Sequence, residues 1–415
     1  MSRIGFLTMP WSGHLNPFAA LALEIKARGN EVLFFHLPEF ADEFSSRGLP
    51  FRDYATERFP AHTFARRARE LSRLKGEEAV EQALETTRMW GEALLQEGAE
   101  VLARSDIDLF VIDHLDYAAS ILVRKLGIPF VSVITTLMRH SEEGVPGFTG
   151  EPHVEKPAGE SAQQKLSTLV QPWRSFLNNQ SLEAGLGPFS YDTVWSSLAQ
   201  ITQQPAEFEY PRKSLPNCFH FTGPFLRREA REEVDFPWSR LTGQPLVYAS
   251  IGSVSQGNIA ILQNVIEAVS QLDVQLVVSA GGYGNQLRAG PRTIVQTRVP
   301  QLEILDKTDL MVHHAGMNST LECLSAGVPM VVSPLANDQP GIAKRIEWSG
   351  TGVALWPGAD DVEGFRLAVA SVLSDGEMRQ RVERYRQVIA ERRGLERAAD
   401  TILEVARTGE SVVSA

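Results

Sequence analysis

The stretch from Val312 to Gln339 concentrates polar side chains around a short predicted helix. A strand is predicted at Leu310–Val312, and the helix opens at Asn318 and ends at Gly327. The first turn of such a helix leaves backbone N–H groups unpaired, and these groups can bind a phosphate. The sequence therefore predicts a phosphate site at the start of this helix.

Polar side chains near this helix could bind the rest of a nucleotide sugar. Glu322 lies one helical turn after Asn318 on the same face, and its carboxylate could accept hydrogen bonds from both ribose hydroxyls. Asp338 and Gln339 follow the next predicted strand, Pro329–Pro334, and could bind sugar hydroxyls. As alternatives, Glu322 could be a solvated helix residue, and Asp338 with Gln339 could form an Asx-type loop. The pattern favours a nucleotide-sugar site.

The candidates for binding a diphosphate lie at two predicted strand-to-helix turns of the same half of the chain. Each could be structural by itself, because serine often begins helices and glycine forms turns. Their joint placement favours a binding site, whereas His313 beside them is predicted to be packed. The candidates are His314, Gly316, Asn318 and Ser319, with Gly252 and Ser253 from the first turn of that half.

A candidate catalytic pair lies in the first half of the chain. His14 follows the first predicted strand in a Gly-His loop, at the sheet edge where open α/β folds bind ligands. A neutral imidazole there could remove a proton from a hydroxyl group. Asp113 ends the LFVID strand at the same edge, and its carboxylate could fix the tautomer of His14. Alternatively, each residue could cap a neighbouring helix, and His114 or Asp116 could replace Asp113.

The pattern of strands and helices predicts the framework that would bring these residues together. Strands and helices alternate from Arg3 to Thr222, and again from Pro245, which is typical of doubly wound parallel α/β folds. No GxGxxG follows a first strand, which argues against a nicotinamide domain. We expect domains at 1–225 and 240–390, with a C-terminal helix at 391–415 that packs back on the first domain.

Four local predictions concern the segments that carry or adjoin the candidate residues. Pro10–Pro17 is predicted to be a loop before a helix at Phe18–Arg28. Arg66–Arg104 shows one long helical period, and Val362–Arg407 is predicted to be helical. Asp338 and Gln339 are placed in a polar loop.

The composition is typical of a soluble globular protein, with 415 residues, 43% of them hydrophobic and 22% charged. No run approaches the roughly 20 apolar residues that span a bilayer, and no signal-peptide cleavage site is evident, so cytoplasmic residence is expected. The net charge of −11 argues against a nucleic-acid partner. The two cysteines and nine histidines show no metal-ligand spacing.

Taken together, these motifs resemble those of the family 1 glycosyltransferases, which have the two-domain GT-B fold. Among bacterial members, the chain is most similar to the zeaxanthin (carotenoid) glucosyltransferases, through Phe208–Pro224 and Asp338–Ile346. The matching segments are PWSGHLNP, the Gly223–Pro224 linker, VPQ at Val299–Gln301, HAGMNSTLE, GVPM and NDQ.

The resemblance implies an inverting transfer of a hexose, expected to be glucose, from a UDP-sugar to a hydroxyl of a lipophilic small molecule. A carotenoid, phenol or flavonoid would be such an acceptor, and no metal or other cofactor is expected. His14 would be the general base and Asp113 would orient it. Residues 1–225 would bind the acceptor, partly through the Thr135–Phe148 loop and Trp173, and residues 240–390 would bind the donor.

The resemblance also implies roles in the donor site, with one departure from the family pattern. Many members carry tryptophan where this chain has Arg298, and that ring stacks on the base. A guanidinium plane can also stack, so the choice between UDP and dTDP donors stays open. The implied roles are uracil at the Val299 backbone, ribose at Gln301 and Glu322, diphosphate at Ser253, His314, Asn318 and Ser319, and hexose at Asp338 and Gln339.

Two other interpretations are kept. One is an epimerase or lipid-linked sugar transferase of the same fold. The other is a non-catalytic nucleotide-sugar binding protein, which would need the donor site but not the pair of His14 and Asp113. A carotenoid acceptor would also bring the protein to a membrane surface, although the sequence contains no basic amphipathic helix of the interfacial kind.

Overall fold

Two parallel sheets, each flanked by helices, form the framework of the protein. The structure is a computed structural model, and it describes residues 1–60, 62–71, 76–151, 162–252 and 259–414. Central strands such as Leu109–Asp113 are buried along their whole length. Strands covered by helices on both faces are expected to be continuous apolar runs, as the sequence shows.

The described strands of the first domain pair in the order β3-β2-β1-β4-β5-β6-β7, all parallel. Its elements are β1 (Arg3–Leu7), α1 (Ser12–Ala27), β2 (Glu31–His36), α2 (Ala41–Ser45), β3 (Phe51–Asp53), α3 (Thr63–Leu71), α4 (Gly76–Ala93), a π-helical segment (Leu94–Gly98), α5 (Ala99–Ala103), β4 (Leu109–Asp113), α6 (Tyr117–Lys125), β5 (Phe130–Ile134), α7 (Ala162–Glu183), α8 (Tyr191–Val194), β6 (Gln200–Thr202) and β7 (Phe219–Phe221).

The described strands of the second domain pair in the order β10-β9-β8-β11-β12-β13, again all parallel. Its elements are β8 (Leu246–Ser250), α9 (Ile259–Ser270), β9 (Gln275–Ser279), β10 (Thr293–Gln296), α10 (Gln301–Leu305), β11 (Leu310–His313), α11 (Met317–Ala326), β12 (Met330–Val332), α12 (Gln339–Ser349), β13 (Gly352–Ala354), α13 (Val362–Ser374) and α14 (Gly376–Arg392).

The strand order reverses at the same place in both sheets. In the first domain β1 lies beside β4, with Leu7 opposite Ile112. In the second domain β8 lies beside β11, with Ser250 opposite His313. The carboxyl ends of two such strands leave a crevice because their crossover helices lie on opposite faces of the sheet. The candidate residues of both domains lie at these crevices.

The last helix, α15 (Gly394–Thr408), lies against α1 of the first domain. Its apolar residues recur at helical spacing and form one buried face. That face is part of the hydrophobic core of the first domain, although the helix follows α14 of the second. The buried residues are Leu395, Ala398, Ala399, Ile402 and Val405.

The predicted loop at Pro10–Pro17 was wrong, because α1 begins at Ser12 and places His14 in its first turn. Glycine and proline suggested a loop, but Pro17 costs the helix a single hydrogen bond, the one to the Gly13 carbonyl four residues earlier. That carbonyl accepts a hydrogen bond from Asn318 Nδ2 of the second domain, with the two atoms 2.6 Å apart. The bond missing from the helix is thus replaced by one between the domains.

Other predicted boundaries also differ. Asp338 and Gln339 are not in a loop, since α12 begins at Gln339 with Asp338 at its N-cap position. Within the predicted helix at Arg66–Arg104, the described elements are α3, α4, the π-helical segment and α5, and residues 72–75 lie outside the described residues. The C-terminal helical region contains three helices, because the Asp375 side chain caps α14 and Arg393 adopts a left-handed conformation before α15. Strand β13 was not predicted.

Candidate active site

His14 and Asp113 are in direct contact in the crevice of the first domain. His14 Nδ1 lies 2.6 Å from Asp113 Oδ2, and both side chains are buried. Since the carboxylate can only accept, the imidazole carries its proton on Nδ1 and leaves Nε2 as the nitrogen that can take a proton. The structure therefore brings together the two residues predicted to form the catalytic pair.

Thr135 completes this cluster; the sequence placed it in the acceptor-lining loop but did not predict its contact with the pair. Its hydroxyl donates to Asp113 Oδ2 over 3.2 Å, and its oxygen lies 2.9 Å from His14 Nδ1. Thr135 directly follows β5, just as Asp113 ends β4, so the strand-end rule that identified Asp113 could also have identified Thr135. The carboxylate is thus held by a second donor besides the imidazole.

Burial and charge act in opposite directions on the pair. Burial lowers the pKa of His14, but the charge and the hydrogen bond of Asp113 outweigh it, so that the pKa lies above the ordinary 6.5. Burial raises the pKa of Asp113, but the neighbouring His14 and His114 bring it well below its usual range. Asp113 therefore remains ionised and favours the imidazolium that forms when His14 accepts a proton.

The two nearby alternatives to Asp113 have structural contacts instead. Asp116 caps α6, its carboxylate accepting a hydrogen bond from the Ala119 backbone N–H at 2.9 Å. His114 is buried beside Asp113, and burial lowers its pKa. The geometry selects Asp113 as the partner of His14.

On the donor side, the ring of His314 is enclosed by two glycines. A Cβ atom at Gly316 would lie 2.6 Å from His314 Nε2, and one at Gly252 would lie 2.5 Å from His314 Cε1. Gly316 is also the N-cap residue of α11, and Gly252 has a positive φ of 75°. Both positions require glycine, and together they hold His314 at the helix start.

His314 and His313 differ in their surroundings. Burial lowers the pKa of His314 to about 4, although a hydrogen bond with the Ser250 backbone raises it, so the ring is neutral at pH 7. His313 is buried, and its Nδ1 accepts a hydrogen bond from the Ala315 backbone N–H at 3.2 Å. His313 therefore has the packed position predicted for it.

Gln301, Ser319 and Glu322 form one hydrogen-bonded cluster beside the start of α11. Gln301 Nε2 donates to Glu322 Oε2 at 2.6 Å and to Ser319 Oγ at 3.2 Å. Tyr248 donates to Gln301 Oε1 at 3.0 Å, which fixes the orientation of the amide. Because Ser319 Oγ accepts a hydrogen bond from Gln301, the Ser319 hydroxyl hydrogen can point elsewhere. A serine that donates to a diphosphate needs this freedom.

Glu322 is not the solvated residue of the alternative interpretation, since its side chain is 1% exposed. Its second oxygen, Oε1, accepts a hydrogen bond from Arg231 Nη2 at 2.5 Å. Arg231 belongs to the charged segment between the domains and was not predicted as a site residue. The next linker residue, Glu232, pairs with the exposed Arg298, the residue predicted to stack on the base.

The remaining donor candidates are distributed as follows. Val299 is buried in the core of the second domain, where only its backbone could face a base. Gln339 Oε1 accepts hydrogen bonds from the backbone N–H groups of Leu335 and Ala336, so the side chain organises its own loop. Ser253 lies outside the described residues.

Asp338 lies where the two domains meet. Its Oδ2 accepts a hydrogen bond from the Leu137 backbone N–H of the first domain at 2.9 Å. Its charge also contributes to raising the pKa of His14, so the residue predicted to bind the hexose lies near the candidate base. Burial raises the pKa of Asp338, although the Leu137 backbone N–H lowers it.

Asn318 links the two crevices. Besides donating to the Gly13 carbonyl, it accepts a hydrogen bond from Gln203 Nε2 at 2.6 Å. Gln203 also donates to the Thr135 carbonyl at 2.8 Å, which connects α11 to the cluster around His14. Gln203 directly follows β6, and its position at a strand end could have identified it in the sequence. The helix start and the candidate base therefore face one cleft.

Two absences were found in the described part of the chain. No group of three or more His, Cys, Asp or Glu side chains is arranged to hold a metal ion. Within residues 1–60, 62–71, 76–151, 162–252 and 259–414, no helix has both the length and the apolar character needed to cross a membrane.

Comparison with known sequences gives consistent matches. A family model described as UDP-glucoronosyl and UDP-glucosyl transferase matches residues 180–393, just over half of the chain. Zeaxanthin glucosyltransferase of Pantoea ananas is 25% identical over 427 residues, which cover 100% of this chain and 98% of the relative. NDP-glycosyltransferase YjiC of Bacillus licheniformis is 27% identical, covering 96% of both chains.

Comparison with solved structures identifies the fold. The glycotransferase of kitacinnamycin superposes with a TM-score of 0.75 at 23% identity, covering 97% of this chain and 98% of that one. The calicheamicin glycosyltransferase CalG4 superposes with a TM-score of 0.70 at 20% identity, covering 98% and 99%. The architecture is the GT-B fold, which confirms the fold predicted from the sequence.

Proposed function

Because the chain belongs to the UDP-glucoronosyl and UDP-glucosyl transferase family and is a UDP-glycosyltransferase, we propose a specific reaction for it. The protein transfers glucose from UDP-glucose to a hydroxyl group of a lipophilic small molecule, with inversion at the anomeric carbon and without a metal ion. The first domain binds the acceptor and the second binds the donor.

One arrangement carries the proposal. The pair of His14 and Asp113, 2.6 Å apart, lies across the cleft from the start of α11, and Asn318 bonds directly to Gly13, the residue before His14. A proton acceptor and a diphosphate site therefore face each other. A non-catalytic binding protein would have no use for a buried, carboxylate-oriented base on the opposite domain.

The reaction requires one proton transfer and one displacement. His14 Nε2 removes the proton from the acceptor hydroxyl as its oxygen attacks the anomeric carbon of the α-linked sugar. The bond between that carbon and the diphosphate oxygen breaks, and UDP departs with the electron pair. Asp113 stabilises the imidazolium, and attack from the side opposite UDP gives a β-glycoside.

The second domain stabilises the leaving group. The first turn of α11 presents backbone N–H groups where negative charge develops on the diphosphate, and the helix dipole acts in the same direction. Neutral His314 and the Ser319 hydroxyl add hydrogen-bond donors. Because these groups supply the stabilisation, the proposed mechanism does not need a divalent cation.

An aromatic side chain near the base supports a lipophilic acceptor. Trp11, three residues before His14, is only partly buried and packs on the core of the first domain through Phe64, with ring centroids 4.9 Å apart. Trp173, also predicted to line the acceptor cleft, is instead buried in a separate cluster with Tyr117. The relative from Pantoea ananas is named for zeaxanthin. We therefore propose a hydroxylated carotenoid or a phenolic compound as the acceptor.

The proposal is tested by incubating the protein with UDP-glucose and a panel of phenols, flavonoids and hydroxylated carotenoids. We expect UDP release that depends on the acceptor, persists in excess EDTA, and gives a β-glycoside by NMR. Binding of UDP without release on any acceptor would favour a non-catalytic binding protein. Retention of the α configuration, or loss of turnover with EDTA, would contradict the proposed mechanism.

A further inference from the structure

Arg231 covers the outward side of the carboxylate predicted to bind the ribose. Both oxygens of Glu322 are already engaged, Oε1 by Arg231 and Oε2 by Gln301. The Glu322 side chain is 1% exposed, whereas that of Arg231 is 25% exposed. Arg231 therefore lies between this carboxylate and the solvent, where a nucleotide must approach.

The linker that carries Arg231 contacts both domains, and its ion pairs reach mainly the donor domain. Arg228 pairs with Asp306 after α10, and Glu232 pairs with Arg298, in both cases at 2.5 Å. Arg231 itself pairs with Glu322, so three linker residues hold the same domain. On the side of the first domain, Arg227 pairs with Glu24 at 3.2 Å, and Ala230 is buried in the core of that domain. Arg231 itself bonds to Glu322 and is therefore part of the donor site.

A second guanidinium faces Arg231 from the first domain. Arg47 bonds to Glu43 at 2.7 Å and to Asn16 at 3.2 Å, and its side chain is 7% exposed. Burial lowers the pKa of Arg47, Glu43 raises it, and the positive charge of Arg231 lowers it again. The repulsion between the Arg47 and Arg231 guanidinium groups favours the position in which Arg231 contacts Glu322.

The occupied carboxylate has a consequence for nucleotide selection. A ribose presents hydroxyls at C2′ and C3′, and an ionised carboxylate keeps a further acceptor site on each oxygen for them. We propose that Arg231 makes the donor site tolerant of a missing 2′-hydroxyl, because its ion pair offsets the negative charge of Glu322 and weakens the hydrogen bond that this carboxylate would accept from that hydroxyl. The proposal rests on the proposed function, in which Glu322 faces the ribose of a nucleoside diphosphate.

The test compares UDP with 2′-deoxy-UDP, since these probes differ only at the hydroxyl in question. Titration calorimetry gives their dissociation constants for the wild type, for Arg231→Met, and for the control Arg228→Met, which removes an exposed pair away from Glu322. We expect the wild type to bind the two nucleotides within about 3-fold of each other, and Arg231→Met to prefer UDP by about 10-fold, the effect of one charged hydrogen bond. Arg228→Met and Arg231→Lys should resemble the wild type.

The outcomes separate the proposal from the function on which it rests. An unchanged ratio in Arg231→Met, or equal weakening of both nucleotides, would overturn the proposal, the latter by showing that Arg231 serves the diphosphate. A wild type that already prefers UDP by 10-fold or more would overturn it as well. Failure of the wild type to bind either nucleotide would instead contradict the proposed function, and the proposal with it.

Discussion

The two sides of the cleft prepare for the reaction in different ways. On the acceptor side, His14, Asp113 and Thr135 are bonded to one another within the first domain, and the contacts that the mechanism needs already exist. On the donor side, Glu322 and Asn318 are bonded to partners other than a nucleotide, namely Arg231 in the linker and Gly13 across the cleft.

This difference between the acceptor and donor sides indicates which residues must rearrange when the nucleotide binds. The base needs no rearrangement before it accepts a proton, so the first domain contributes preorganisation. The donor residues must exchange or share their hydrogen bonds when the nucleotide arrives, and each exchange reduces the net gain from binding. Mutations in the first domain should therefore affect turnover, and mutations in the second should affect affinity. The following predictions test this division.

The largest effect is expected for His14→Ala. General-base catalysis is worth up to about 10⁴-fold, and we expect the turnover number to fall by about 10³- to 10⁴-fold. UDP affinity, measured by calorimetry, should stay within about 2-fold of the wild type because the donor site is in the other domain. A variant that retained full turnover would show that His14 is not the general base. The acceptor side would then have no preorganised catalytic group to compare with the donor side.

Asp113→Asn should reduce the turnover number by about 10²-fold, because the imidazolium loses its stabilising charge. It should also change the pH profile. Asp113 raises the pKa of His14 above 6.5, and the base works only when neutral, so kcat/KM of the wild type falls as pH decreases through that raised value. Removing the charge lowers the pKa and should move this acidic limb to lower pH. An acidic limb that did not move would show that Asp113 acts only in folding.

Gly316→Ala tests the donor side. The added Cβ would lie 2.6 Å from His314 Nε2 and displace the ring, while the φ of −68° lets alanine adopt the backbone conformation. We expect UDP affinity to fall by about 10-fold, as overpacking costs of 1–3 kcal/mol would produce. Gly290→Ala, where a Cβ meets nothing within 4 Å, is the matched control. Equal affinities in the two variants would mean that His314 does not contact the nucleotide.

The smallest effect is expected for Thr135→Val. It removes a hydrogen bond that reaches the ionised Asp113 carboxylate over 3.2 Å and leaves the shorter bond from His14 in place, so the turnover number should fall by only roughly 3- to 10-fold. Thr135→Ser keeps the hydroxyl and should restore most of the rate. A change in UDP affinity rather than in the turnover number would contradict the expectation that mutations in the first domain affect turnover.

Much of the framework was visible in the sequence because strands buried on both faces form continuous apolar runs. LFVID at β4 and PLVYAS at β8 were identified in this way, and polar residues at their carboxyl ends marked the candidate site. The pairing of His14 with Asp113 followed from the edge that they share. The neighbouring position of β1 and β4 depends on packing of the whole sheet and could not be inferred locally.

Contacts between residues far apart in the sequence could not be predicted from local patterns of apolar and polar residues. Arg231 lies in the charged segment between the domains, and its partner Glu322 is 91 residues away in a buried helix. The start of α1 was misplaced because Gly13 and Pro17 favour loops when considered alone. Their fit into a helix depends on Asn318, which only the tertiary structure brings near.

The carbonyl of Gly13 links the local effect of proline to the contact between the two domains. Without the second domain this carbonyl would bond to water, because Pro17 has no N–H to offer it. The bond from Asn318 replaces that water, a net gain of about 1 kcal/mol, or roughly fivefold in favour of the contact. A residue with an N–H at position 17 would already satisfy the carbonyl within the helix and would reduce what Asn318 adds to the contact between the domains.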